Sequence, residues 1–125
     1  MDENLIGERI LGCALRVHRA LGPGLLEGAY EACLAYELTK SGLAFQRQMP
    51  MPVTYDGVQI ELGYRLDLLV ENLVVVEVKA VEKLTDVHRA QILSYLKLGR
   101  YRLGYLLNFN VKMFKDGIAR IANGL

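Results

Sequence analysis

Asp67, Glu77 and Lys79 are charged residues set into two of the most apolar stretches of the chain, Tyr64-Arg65-Leu66-Asp67-Leu68-Leu69-Val70 and Leu73-Val74-Val75-Val76-Glu77-Val78-Lys79-Ala80. Side chains of a β-strand alternate between faces, so Glu77 and Lys79 point one way and Val76 and Val78 the other. A run as apolar as Leu73 to Val78 reads as a strand covered on both sides. Charge there is unfavourable unless it is paired, hydrogen-bonded or bound to a metal. An in-strand ion pair is the structural use of a Glu-x-Lys spacing. The chemical use is different. Two carboxylates with waters, and with a backbone carbonyl, present hard oxygen donors suited to a cation such as Mg²⁺. A cation held there could stabilise a phosphodiester's negative charge and acidify a bound water. Lys79 would add fixed positive charge where the transition state gains negative charge.

The elements that must position these groups follow from periodicity. Ile6, Ile10, Cys13, Val17 and Leu21 recur at helical spacing, which predicts an amphipathic helix over residues 5 to 20. Gly22-Pro23-Gly24 breaks it. A second helix is expected from about Leu25 to Lys40, ending at Gly42. Glu27 falls between Leu34 and Leu38 on that helix and so faces inward or along the core margin, and Glu37 is placed at least as centrally. Periodicity does not choose between them. Position does favour Glu27, in the first turn beside the Gly-Pro-Gly corner, where the helix dipole welcomes an anion. A helix-dipole role alone would also explain that carboxylate.

Alternation predicts a strand over residues 45 to 55, with Pro50 and Pro52 marking it as an edge. Asp56-Gly57 is a hairpin signal, and the return strand is expected to run unbroken from Val58 to Val70. The strand bearing Glu77 follows. Thr85 caps a helix from Asp86 to about Leu98, on which Gln91 and Tyr95 lie one turn apart with His88 on the same stripe. Leu103 to Phe109 reads as another buried strand and residues 118 to 121 as a short last one. Helix, helix, three antiparallel strands, helix and strand together predict an α/β sandwich around one mixed sheet.

A chain of 125 residues, 52% hydrophobic and 23% charged, has the balance of one folded domain spanning residues 1–125. Its apolar runs are too short for a membrane span, and no signal peptide opens it. Cys13 and Cys33 read as thiols on apolar helix faces in a reducing cytoplasm. Two scattered cysteines and two scattered histidines make no zinc site. A net charge of +1 neither announces nor excludes a nucleic-acid partner. Arg16, Arg19, Lys83 and Arg89 could contact a phosphate backbone, although each alone is an ordinary surface charge. His18 reads as a packing histidine at a helix end, and His88 as either solvated or within reach of phosphate.

An acid, an Asp, a Glu-x-Lys and a Gln-x-x-x-Tyr on elements in this order resemble the PD-(D/E)XK nuclease superfamily. Within it, Gly24-Leu25-Leu26-Glu27-Gly28-Ala29-Tyr30 is similar to the G-x-x-E-x-x-Y signature of a small bacterial and archaeal family. The likeness runs from the Val17 to Gly24 lead-in to Lys115-Asp116-Gly117-Ile118. It implies a restriction-endonuclease-like αβββαβ core with an extra N-terminal helix. It also implies a metal-dependent nuclease acting on nucleic acid, DNA ahead of RNA. In that reading Asp67 and Glu77 are metal ligands with the Val78 carbonyl, and Lys79 positions or polarises the attacking water. Glu27 is the helix-borne acid and a ligand for a second cation, while Gln91 and Tyr95 assist the metal site and contact phosphate. The alternative is a catalytically silent member that binds nucleic acid or a protein. A structural oligomerisation unit is a third.

Two expectations concern geometry. Asp67 and Glu77 share a face as cross-strand neighbours only if an odd number of residues joins their strands. This predicts a three-residue turn Glu71-Asn72-Leu73 with Asn72 or Leu73 left-handed. The proline-marked edge and the apolar surplus predict a homodimer or larger ring.

Overall fold

The computed structural model describes residues 1–125. Helix α1 (Glu3–Leu21) opens with Asp2 as its cap, whose carboxylate accepts from the Leu5 N–H at 2.9 Å. It is followed by α2 (Glu27–Lys40), β1 (Phe45–Pro50), β2 (Val53–Tyr55), β3 (Val58–Ile60), β4 (Arg65–Val70) and β5 (Val74–Lys79). Helix α3 (Asp86–Gly99), β6 (Leu103–Asn108), a 3₁₀ turn (Phe114–Gly117) and β7 (Ile118–Ala122) complete the chain.

The main sheet has five strands in the order β1-β4-β5-β6-β7. Only β5 and β6 run parallel, joined by α3 as a crossover helix. Val74, Val76 and Val78 of β5 meet Ile6, Ile10 and Val17 of α1 and Tyr30, Leu34 and Leu38 of α2 on one face. Val75 meets Ile92 and Leu96 of α3 on the other. Burial on both faces explains why β5 reads as an almost continuous apolar run. Taken as α2-β1-β4-β5-α3-β6, the chain is the αβββαβ core of a restriction-endonuclease-like α/β fold, with α1 as the extra N-terminal helix.

The long hairpin differs from expectation. Met51 still pairs with Tyr64, at N–O 2.8 Å, but Val53 pairs with Ile60. One residue separates the first members and three the second, so the return strand carries a surplus of two. Pro52, without an N–H, and Gly63, at φ 75°, mark the break. Beyond it β2 and β3 form a separate two-stranded ladder, and the return strand is not continuous. Strand β1 is an edge of the five-stranded sheet and ends at Pro50.

Candidate active site

The connection between β4 and β5 is Glu71-Asn72-Leu73, because Val70 pairs with Val74. Glu71 and Asn72 are the left-handed residues, at φ 53° and 56°; Leu73 is not. The odd count puts Asp67 opposite Glu77. Regular pairing between the strands stops one step earlier, at Leu68 and Val76. From there the carboxylates take the place of backbone carbonyls. The Asp67 N–H donates to Glu77 Oε2 at 2.8 Å, and the Val78 N–H donates to Asp67 Oδ2 at 2.8 Å. On the other flank of β4, Gln48 stands opposite Asp67 at φ 52°, between the regular pairs Arg47–Leu68 and Met49–Leu66. The sheet is thus interrupted on both sides of Asp67.

Glu77 is only 6% exposed. Burial, followed by the charge of Asp67, pushes its pKa up to about 8, against the pull of the Asp67 N–H and Lys79. Burial also raises the pKa of Asp67, with the Val78 N–H opposing and the charge of Glu31 adding to the rise. Lys79 is half-buried and belongs to none of the protein's four ion pairs, so the in-strand pair with Glu77 is not formed. Its backbone is nonetheless fixed. The Phe109 N–H donates to the Lys79 carbonyl at 2.9 Å, and Asn108, opposite Lys79 and 1% exposed, bonds both the N–H and the carbonyl of Val81. Asn108 is not among the residues that the sequence singles out. Its one signal is a lone amide ending the apolar strand Leu103–Leu107.

The helical residues divide into those that arrive and one that does not. Tyr95 is buried beside the carboxylates. Burial and the Glu77 charge raise its hydroxyl pKa, and Gln91, exposed one turn earlier, acts in the opposite direction. The ring of Tyr64 lies 6.0 Å from that of Tyr95. His88 closes the Thr85 capping box, accepting the Thr85 N–H at its Nδ1. Glu27 does not face inward. It is exposed in the first turn of α2, with neither a hydrogen bond nor an ion pair to Asp67 or Glu77. The helix begins only there, Leu26 before it is 84% exposed, and contact with the core starts at Tyr30.

The acid that reaches the site is Glu31, 8% exposed. It accepts from Arg47 Nη2 at 3.0 Å and from Gln48 Nε2 at 2.8 Å, and Gln48 Nε2 also lies 3.4 Å from Asp67 Oδ1. Its signal was present, since Glu31 stands three and seven residues before Leu34 and Leu38, on the same stripe. Glu37 is elsewhere, paired with Arg16 at 2.7 Å and Lys40 at 3.6 Å. Gly24 and Tyr30 shape the corner ahead of Glu31. Gly24 has φ 107°, and the Tyr30 hydroxyl donates to the Gly22 carbonyl at 2.6 Å and accepts the Leu25 N–H at 3.0 Å. The Tyr30 ring stacks on Phe109 at 4.7 Å.

No three acidic, histidine or cysteine side chains gather closely enough to enclose a cation by themselves. The two facing carboxylates nevertheless fit one. Glu77 is buried and Asp67 half-buried, the charge of Asp67 raises the affinity of Glu77 for a proton, and their oxygens are hard donors that a divalent cation with waters would satisfy.

A mixed sheet of this topology, parted at its centre around facing carboxylates, defines an α/β protein of the restriction-endonuclease-like class. The chain belongs to the PD-(D/E)XK nuclease superfamily, whose family model matches residues 4–121. No curated protein and no solved structure matches it. No helix is long and apolar enough to cross a membrane.

Proposed function

We propose that this protein is a divalent-metal-dependent nuclease of the G-x-x-E-x-x-Y type that hydrolyses phosphodiester bonds, with DNA as the first substrate to try. The observation that carries the reading is the placement of Asp67 and Glu77 across a parted ladder, with the unpaired Lys79 on the Glu77 face. Asp67, Glu77 and the Val78 carbonyl are the groups that would hold Mg²⁺ or Mn²⁺. Such an ion, when bound, offsets negative charge on the phosphodiester and acidifies water. Lys79, free of any carboxylate partner, orients the attacking water and meets the charge that develops on the phosphate. Tyr95 and Gln91 steady that end of the site from α3. Glu31, rather than the Glu27 to which the resemblance points, is the acid of α2 at this site and holds Asp67 in place through Gln48. The free thiols of Cys13 and Cys33 accord with a reducing cytoplasm. The exposed apolar residues of the β2–β3 hairpin accord with a homo-oligomer.

The test is cleavage of linear, circular, single-stranded and branched DNA, and of RNA, in Mg²⁺ or Mn²⁺. Wild type should cut at least one of these, and Lys79→Ala should not. A wild type that cuts none, and whose melting temperature ignores both ions, would return the protein to a binding or structural role.

A further inference from the structure

At the carboxyl ends of β5 and β6, on the α1 side of the sheet, lies a groove of about 450 Å³. Arg19 from the last turn of α1 lines it with Lys112 and Lys115 from the segment after β6, and Pro23 and Met113 form part of its apolar wall. No carboxylate lines it, and Asp116, next in sequence to Lys115, is not among its lining residues. None of the three cations belongs to an ion pair, and all three are exposed. Arg16, one turn before Arg19, is by contrast committed to Glu37. In a protein of net charge +1, three unpaired cations on one concave surface are a local concentration of positive potential.

The groove is also built to hold its shape. The ring of buried His18 spans its floor, with Nε2 2.7 Å from the Val111 carbonyl. A carbonyl only accepts, so Nε2 carries the proton and ties the lysine-bearing segment to α1. The His18 ring stacks on Phe114 at 5.2 Å, and Phe114 packs on Phe109 at 5.1 Å. Phe109 in turn donates its N–H to the Lys79 carbonyl. One run of contacts therefore links the groove to the catalytic strand. Lys112 follows Asn108, the residue paired with Lys79, by four positions. Chain length alone keeps it within about 14 Å of Asn108.

We propose that this groove holds the phosphate backbone of the nucleic-acid substrate, with Arg19, Lys112 and Lys115 each engaging a phosphate outside the segment held at Asp67 and Glu77. The assignment rests on the nuclease reading for its ligand class and extends it to a substrate track. Backbone contacts of this kind set affinity and register without reading sequence.

The experiment measures binding of a short labelled oligonucleotide, single-stranded and duplex, in EDTA and in Ca²⁺, over a range of salt. It compares wild type with the triple variant Arg19→Gln/Lys112→Gln/Lys115→Gln, the three single variants, and Lys97→Gln on α3 as a control. Each lost phosphate contact removes about 0.7 to 0.9 from the slope of log K against log salt, so the triple variant should be shallower by about 2 to 3. At 0.1 M salt its affinity should fall on the order of a hundredfold, with each single variant carrying a share. Lys97→Gln should match wild type. Equal affinity and slope in triple variant and wild type overturn the groove, while wild-type cleavage in the same preparation leaves the nuclease reading standing. Groove-dependent binding with no cleavage supports the groove and removes the nuclease reading. A wild type that binds neither oligonucleotide overturns the groove as well.

Discussion

Glu77 holds a proton that an exposed glutamate would have released, and this gives the metal-free protein a stability profile that can be checked. Its pKa rises from an ordinary 4.5 to about 8. Between those values the folded chain binds a proton that the unfolded chain lacks. Stability from this group is therefore full below pH 4.5 and is lost as pH climbs through about 8, with a slope of up to about 1.4 kcal/mol per pH unit. Asp67, Glu31, Lys79 and Tyr95 all share this environment. Chemical denaturation in EDTA across this range should show the fall, and Glu77→Gln should flatten it. Millimolar Mg²⁺ should restore wild-type stability at pH 8 but not that of Glu77→Gln. Lys79→Ala separates the roles further. It should keep metal binding by calorimetry while turnover drops on the order of 10² to 10³, the size of effect seen when a preorganised positive or donor group is removed. Equal loss of metal binding and turnover would make Lys79 a structural residue instead.

Helix α2 divides its labour between adjacent turns. Glu31→Gln should remove the anion that orders Arg47 and Gln48, lowering stability by about 1.5 to 3 kcal/mol and reducing cleavage with it. Glu27→Gln, on an exposed turn, should change stability by no more than about 0.5 kcal/mol and leave cleavage unchanged. Parallel urea titrations and single-turnover assays on the two variants would rank the acids directly. Tyr30→Phe tests the corner itself. It keeps the stack on Phe109 but strips partners from the Gly22 carbonyl and the Leu25 N–H, and should lower stability by about 1 to 2 kcal/mol. Little loss would mean that water replaces the hydroxyl without penalty.

At the scale of the whole molecule, the β2–β3 hairpin is the part least supported by the rest. Tyr55, Val58 and Ile60 are exposed on a ladder of two short strands, which has little stability in isolation, and Leu62 just after it is exposed as well. A second copy covering this surface is the expected arrangement. Light scattering at micromolar concentration should give a dimer or larger assembly, and Val58→Lys should shift it toward monomer. A wild-type monomer under those conditions would leave the apolar hairpin for another ligand.

What the sequence by itself determined is local and periodic. Alternation placed Glu77 and Lys79 on one face, parity demanded an odd turn before Asp67 could meet Glu77, and apolar spacing set the helices and the α/β order. These follow from short-range geometry, which neighbouring residues fix. Glu27, Glu31 and Glu37 all lie near the apolar stripe of α2, and the tertiary structure chose among them by where contact with the sheet begins. It also decided that Gln48 would turn left-handed beside Asp67 and that Asn108 would hold the exit from β5, both set by strands distant in sequence. The hairpin broke for a similar reason. Pro52 and Gly63 are each tolerable in an alternating pattern, but face each other's strand only once the register is laid down, and there the ladder cannot continue.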